Sequence, residues 1–468
     1  MQGKLILKWQ FIPAITMCLL LNGCFFYKKA PDTQQITAMA MPKNTQIPAN
    51  YLAHANSSNV INGWLSDFKD PVLSQLVNEA IQNNPDLVVA AANVDIANAN
   101  ARKAAANLYP SVLSYGRLSF KNGIDSSMTV GLSGVGFFFG WTLDLWGQIR
   151  SQAAAGELNY QAAQADYQFV EESLAAQVAK TWFTGNLAAT QLSLAQQAVQ
   201  NYKKLLVLVK QQENIGQVSE INVESIQTGL STAENNLIQA QNAQSDAARS
   251  LQILIGHYPN GALIFKSHLA YLPAPPPVGI PSQLLQRRWD IIAAENRVAS
   301  SFHNVHAQEA ALLPQVNLSA GFGVIDGALS SFTGNNHFYN YGGNLLWPIF
   351  TGGALEANIE IAEGERKRAL ADFAHTAMMA FMQVETALSN EQNLIAQNNT
   401  VGLALTANQK NLQLMKIRYR VGQIAESDVL QQQITVIQNQ SDLATIQSQL
   451  LLNRIDLYLA LGGGFSAH

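Results

Sequence analysis

The chain has 468 residues, of which 13% are charged, and a formal net charge of −4. So sparse and slightly acidic a charge set excludes the basic field that a nucleic-acid surface requires. Two cysteines, Cys18 and Cys24, exclude a disulfide framework, and stability must come from packing.

Lys4 and Lys8 precede an apolar run from Phe11 to Leu21 that ends in LNGC. A positive start, a short apolar stretch and a small residue before the break describe a secretory signal. The run is too short to cross a bilayer as a helix of the mature protein. Cys24, with Gly23 before it and Leu21 three before it, stands where a bacterial lipoprotein carries its lipidated cysteine. Residues 1–23 are therefore expected to be removed and Cys24 lipidated; an ordinary signal cleaved nearby is the alternative. Phe25 stands where inner-membrane retention would prefer Asp, which favours the outer membrane. No later segment reads as a transmembrane helix, so residence in a membrane must use strands.

A duplication organises the rest. Asp86 pairs with Asp290, Val94 with Val298 and Pro110 with Pro314, all 204 apart. Trp141 pairs with Trp347, Gly147 with Gly353, Gly216 with Gly422 and Gly256 with Gly462, all 206 apart. A two-residue drift over so long a span marks two copies of one unit.

After an N-terminal segment (24–70), the first copy is expected to open with helix over 71–110, Ala-rich from Asp86 to Leu108 and stopped by Pro110. A strand pair follows (111–146), with Val130 and Leu132 alternating against Thr129, Gly131 and Ser133 around the loop KNGIDSS. Gly140 and Gly147 are expected to ease the crossing from strand to helix. A long helical hairpin fills 147–256; its first arm, to Asn214, would reach about 100 Å and is broken at Gly216. A Pro-rich linker (257–287) leads to the second copy: helix (288–314), strand pair (315–347), helical hairpin (348–462) and a tail (463–468). In its strands Val316, Leu318, Ala320, Phe322 and Val324 alternate with Asn317, Ser319, Gly321 and Gly323, as do Tyr339, Tyr341, Leu345 and Trp347 with Phe338, Asn340 and Asn344. Alternation over about ten residues, rich in Gly and aromatics, marks a membrane β-barrel strand. Leu443, Ile446, Leu450 and Leu457 mark a packing seam near period 3.5.

Four strands cannot close a barrel, since such barrels need about eight or more. An open edge in lipid leaves backbone groups unpaired, so the barrel must be shared between chains. Two copies would supply eight strands and three would supply twelve; the residues leave that open.

The stretch GWTLDLWGQIRSQ, the lipobox, FKDPVLSQLV from Phe68, RYRVGQIAESDVL from Arg418 and the terminal ALGGGF resemble the TolC-type outer-membrane factors. They are most similar to the lipoprotein branch, with OprM and NodT, that serves resistance–nodulation–division (RND) pumps. The resemblance covers the mature chain and implies a mainly α fold with a transmembrane β-barrel portion. The duplicated helix–strand–strand–long-helix-hairpin unit would form a homotrimer. Its 12-stranded β-barrel would continue into a 12-helix periplasmic α-barrel, with 24–70 and the Pro-rich stretch in an equatorial belt. The partners implied are a periplasmic membrane-fusion adaptor, an RND-type inner-membrane transporter and outer-membrane lipid.

The resemblance gives the hairpin tips, Gly216, Gln217, Val218, Ser219 and Glu220 in one copy and Val421, Gly422, Gln423, Ile424 and Ala425 in the other, as adaptor-docking sites. It places a periplasmic aperture at Asp428 and Gln431. Many relatives carry a second acid where this chain has Gln431, which weakens an electrostatic gate; a ring of Asp428 carboxylates would still select cations. The plain alternative for Asp428 is a helix-start residue favoured by the dipole. Trp141, Trp146 and Trp347 suit the membrane interface.

Other signals are set aside. His303 and His306 lack further ligands and read as solvated or interface histidines. Met378, Met379 and Met382 suit Cu(I) chemically but read as filler of a helix seam. Arg366, Lys367 and Arg368 read as a solvated face. No catalytic constellation, metal set or cofactor motif stands out. The leading expectation is a passive exit duct of a tripartite efflux pump for drugs or other small toxic compounds. A type I secretion duct for polypeptides is the alternative, and a structural trimeric surface protein a more distant one.

Overall fold

The computed structural model describes residues 30–52, 60, 62–117, 120–122, 128–130, 133–326 and 337–465. Cys24, the loop residues 123–127 and 327–336, and Leu132 lie outside the described residues. The elements run α1 (Thr33–Ala40), α2 (Pro71–Asn83), α3 (Pro85–Ala106), β1 (Ser111–Arg117), β2 (Phe120–Asn122), β3 (Met128–Val130), β4 (Ser133–Leu143), α4 (Gln148–Asn214) and α5 (Glu220–Leu254). The second copy supplies α6 (Pro281–Arg287), α7 (Trp289–Ala310), β5 (Gln315–Asp326), β6 (His337–Leu346), α8 (Ala354–Arg420) and α9 (Glu426–Ala460). No helix among the described residues is long and apolar enough to cross a membrane.

The repeat is kept in three dimensions. Helices α4 and α8 have 67 residues each, and α5 and α9 have 35 each. One difference from the sequence expectation is that the helical region 71–110 divides at Asn84. Its Oδ1 accepts from the backbone N–H groups of Asp86 and Leu87, and Pro85 takes the first helical position, so a new helix starts there.

The chain forms two compact units. One comprises the described residues among 30–45, 92–165 and 292–376. It holds a four-stranded antiparallel sheet in the order β1-β4-β5-β6, and β2 pairs with β3 as a small extra ribbon. Val112, Phe137, Phe139, Trp141, Leu318, Phe322, Tyr339 and Tyr341 share one face by the period of two and the cross-strand register. The other face carries Thr142, Asn317, Ser319, Gly321, Gly323, Asn340 and Asn344, with Phe138 lying against Phe338, ring centroids 6.0 Å apart. An apolar aromatic face backed by a Gly- and Asn-rich one is what lipid outside and water inside require of a barrel wall.

The second unit comprises the described residues among 46–91, 166–291 and 377–465. Its core gathers Trp64, Phe68, Trp182, Phe183, Leu251 and Tyr458, all nearly inaccessible. Trp64 stacks on Tyr458 at 5.7 Å, and Phe68 meets Phe183 at 5.1 Å. Residues 60–63, Gly464 and the end of α6 meet here: Gly63 N donates to Gly464 O, and Arg287 reaches Val60 O and Asn62. Of the α9 seam, Leu450 and Leu457 are buried, while Leu443 and Ile446 are half-buried. Phe265 lies on Gly185, where a Cβ would come within 2.1 Å of its ring. Gly185→Ala is expected to push Phe265 off Trp182 and to cost about 1–3 kcal/mol, read as a lower denaturation midpoint.

Candidate pore and hairpin tips

Strand β4 does not pass into α4 without a break. Residues Asp144–Gly147 intervene, and Asp144 caps the helix by accepting from Ile149 N and Arg150 N, both at 2.9 Å, and from Arg150 Nε. Gly147, at φ +80°, provides the left-handed turn. Gly140 does not share this role: it is an ordinary strand residue opposite Ser111 and Ser319. Of the tryptophans expected at the interface, Trp141 and Trp146 flank this crossing. Trp141 Nε1 donates to Leu108 O at 3.0 Å and Trp146 Nε1 to Pro314 O at 2.6 Å, while Trp347, just past β6, is 59% exposed. Trp141 and Trp146 are thus anchored through the indole N–H, the polar handle of an otherwise apolar ring.

The two hairpin tips are built alike. Gly216 and Gly422 have φ of +72° and +77°. Gly216 N donates to Glu213 O and Gln217 N to Gln212 O, just as Gly422 N donates to Tyr419 O and Gln423 N to Arg418 O. This paired pattern closes a helix C-terminus and needs glycine at the left-handed position. Leu205, Val209, Val223 and Leu430 form a buried cluster behind the tips. Gln217, Ser219, Glu220, Val421, Gly422 and Gln423 are exposed, and Val218, Ile424 and Ala425 are half-buried.

Asp428 is exposed, and its Oδ2 accepts from Ala425 N at 3.2 Å, so its carboxylate satisfies the first turn of α9. Gln431 is exposed one turn on. Sequence reasoning missed the side chains that brace the second tip. Tyr419 Oη donates to Glu426 Oε2 at 3.2 Å, which pushes the phenol above its ordinary range, and Arg418 Nε donates to Gln423 Oε1. Comparing the copies position by position exposes them, because Gln212 and Glu213 occupy the matching places in the first tip.

Of the groups set aside earlier, the histidines take the interface position rather than the solvated one, and the basic run is solvated except at Arg366. His303 and His306 are not solvated; both are buried on α7, His306 Nδ1 lies 2.9 Å from Ser151 Oγ, and burial holds His303 below the usual histidine range. Arg366 lies over the Phe302 ring at 5.2 Å, while Lys367 and Arg368 are exposed. Met378, Met379 and Met382 are partly exposed on α8 rather than sealed in a seam of this chain.

The family model for outer membrane efflux proteins matches the chain twice, over residues 76–257 and 280–463. The chain belongs to the outer membrane efflux protein family. It is similar to the cation efflux system protein CusC of Escherichia coli O6:H1, at 29% identity over 96% of this chain and 97% of that one. It is also similar to the probable outer membrane lipoprotein SilC of Salmonella typhimurium, at 27% identity over 97% and 98%. A crystal structure of CusC superposes with a TM-score of 0.79 at 27% identity, covering 93% of this chain and 99% of that one. The fold is therefore that of the outer-membrane channels in which a strand barrel continues into a helical barrel. The protein is an outer-membrane exit duct for efflux, and its family consists of transport channels.

Proposed function

We propose that three copies of the chain form one passive, water-filled duct, the outer-membrane end of a tripartite efflux pump. The observation that carries this reading is the four-stranded sheet, whose outer strands β1 and β6 each pair on one side only within the described chain. Three such sheets give twelve strands and leave no edge in lipid. Cys24 carries the lipid anchor. The tips at Gly216–Glu220 and Val421–Ala425 receive a periplasmic adaptor, which joins the duct to an RND-type inner-membrane transporter. Asp428 and Gln431 line the periplasmic aperture, and Trp141, Trp146 and Trp347 hold the barrel at the membrane interface. The described lumen-facing positions of the sheet are mostly Gly, Ser, Asn and apolar residues with Arg117 as their one charge, which suits small molecules of varied chemistry. The similarity to a cation efflux system protein favours including cations among the cargo. A polypeptide-secretion duct is the competing assignment.

Two measurements test this. In planar bilayers the purified protein is expected to conduct ions; an inert bilayer would refute the duct. A photoreactive residue at Gln423 is expected to capture an adaptor of a proton-driven pump in cells; capture of an ATP-driven exporter's adaptor would move the assignment to polypeptide secretion. Gly422→Val places a β-branched residue at φ +77°, a local cost of about 1–2 kcal/mol. It is expected to abolish capture at Gln423 while leaving the oligomer intact by light scattering.

A further inference from the structure

Three of the chain's nine methionines, Met378, Met379 and Met382, fall together on α8. At this level the helix buries a stripe of Ala377, Ala380, Val384, Ala387 and Leu388. At about 100° per residue the methionines lie on the opposite side from that stripe. They are 39%, 37% and 52% exposed, so the chain's own packing does not require them. The repeat makes the same point. Helix α4 runs 206 residues ahead of α8, and its residues in the matching places are Glu172, Ser173 and Ala176. The duplicated fold is therefore built once without sulfur at this level.

Met382 stands three residues after Met379 and four after Met378, the two spacings that bring side chains together on a helix. In helical projection it lies between them, one turn further on. Each thioether sits at the end of a flexible, unbranched side chain, so three sulfurs can reach one ion with no change of backbone. Thioethers are soft, neutral ligands that select Cu(I), whereas carboxylate and carbonyl oxygens suit Mg and Ca. Beside Met382 a cleft of about 300 Å3 opens, walled among others by Phe169, Gln383, Asn390 and Asp456. Its polar wall lets a hydrated ion approach the sulfurs. Lys180 Nζ holds Asp456 Oδ1 at 2.7 Å, so the carboxylate is balanced and does not turn the cleft into a seat for hard cations.

We propose that Met378, Met379 and Met382 form a thioether site on the surface of α8 for a soft monovalent cation, Cu(I) or Ag(I); this deepens, and rests on, the reading above that cations are among the cargo. Three neutral sulfurs hold such an ion loosely, because no anionic ligand takes part. A passive duct needs binding of that kind, favourable enough for entry and weak enough for release. Hard ions such as Na+ and Mg2+ find no ligand to their taste and pass unheld. Filling a helix seam would need only volume and apolarity, which leucine supplies as well as methionine. Holding the ion needs the sulfur.

The test uses the full chain in mild detergent with Ag(I) as a redox-stable probe, beside a variant carrying Met378→Leu, Met379→Leu and Met382→Leu. In equilibrium dialysis the unaltered chain is expected to hold about one Ag(I) more per chain than the variant, displaced by excess Cu(I) but not by excess Zn(II). Cys24 and the other methionines are common to both proteins and cancel in the difference. Equal uptake, or displacement by Zn(II), would overturn the site and spare the duct, which bilayer conductance tests separately. Should the variant fold poorly, oxidative footprinting of the unaltered chain decides. Ag(I) is expected to slow sulfoxide formation several-fold at Met378, Met379 and Met382 while leaving Met415 unchanged. Equal oxidation rates with and without Ag(I) would overturn the site.

Discussion

Arg454→Leu is expected to destabilise the protein by about 3–5 kcal/mol, seen as a collapse of folded yield and an earlier denaturant transition. Arg454 is 1% exposed, and its guanidinium meets the Glu391 carboxylate and the Pro273 carbonyl oxygen. Glu391 is itself 7% exposed, and its second oxygen finds no partner. Removing the arginine therefore strands a carboxylate with no cation to balance it, and desolvation dominates. Arg454→Leu with Glu391→Leu should recover most of the loss at neutral pH, since an apolar pair of similar volume replaces the ion pair. A double variant as unstable as the single one would show that the arginine acts through Pro273 instead.

Asp70→Ala is the second large expected effect, about 2–4 kcal/mol by denaturation. The Asp70 carboxylate caps α2 by accepting from Val72 N at 3.1 Å, accepts from Trp182 Nε1 at 3.0 Å, and meets Lys266 Nζ at 2.9 Å. Truncation strands the buried indole N–H together with the helix start. Burial alone would raise this carboxyl. The Lys266 ammonium and the Trp182 indole outweigh burial and hold it below the ordinary carboxylate range. A group depressed in the folded state contributes its stability above its unfolded value and loses it as pH falls through the folded one. The native protein should thus lose an acid-sensitive increment below about pH 4, absent from Asp70→Ala. Acid titrations of the two proteins that run parallel would contradict this.

What the sequence disclosed was whatever is local or repeated. Pro110 and Pro314 end helices because proline cannot continue them, and Gly216 and Gly422 end the long arms because only glycine takes that turn cheaply. The strand faces were legible because side chains alternate at period two whatever packs on them. What stayed hidden was pairing at a distance. Trp182 lies 112 residues from Asp70, Lys266 lies 196 from it, and Ser151 lies 155 from His306. Nothing near the histidines in the chain announces the helix that covers them. Gly140 and Gly147 look equivalent as letters, and only the backbone angle separates the paired strand residue from the turn. The tips were legible as breaks, whereas the Tyr419–Glu426 brace depends on side-chain direction that spacing does not carry.

The open strand edges have a consequence for inheritance. On the trimeric reading no lone chain is a finished membrane protein, so insertion waits on encounter, and its rate depends steeply on how much chain the cell makes. A cell holding equal amounts of normal and defective chains would build only roughly one wholly normal assembly in eight. A seam-blocking allele should therefore act dominantly, silencing healthy copies by joining them, whereas a deletion of the same gene would be recessive.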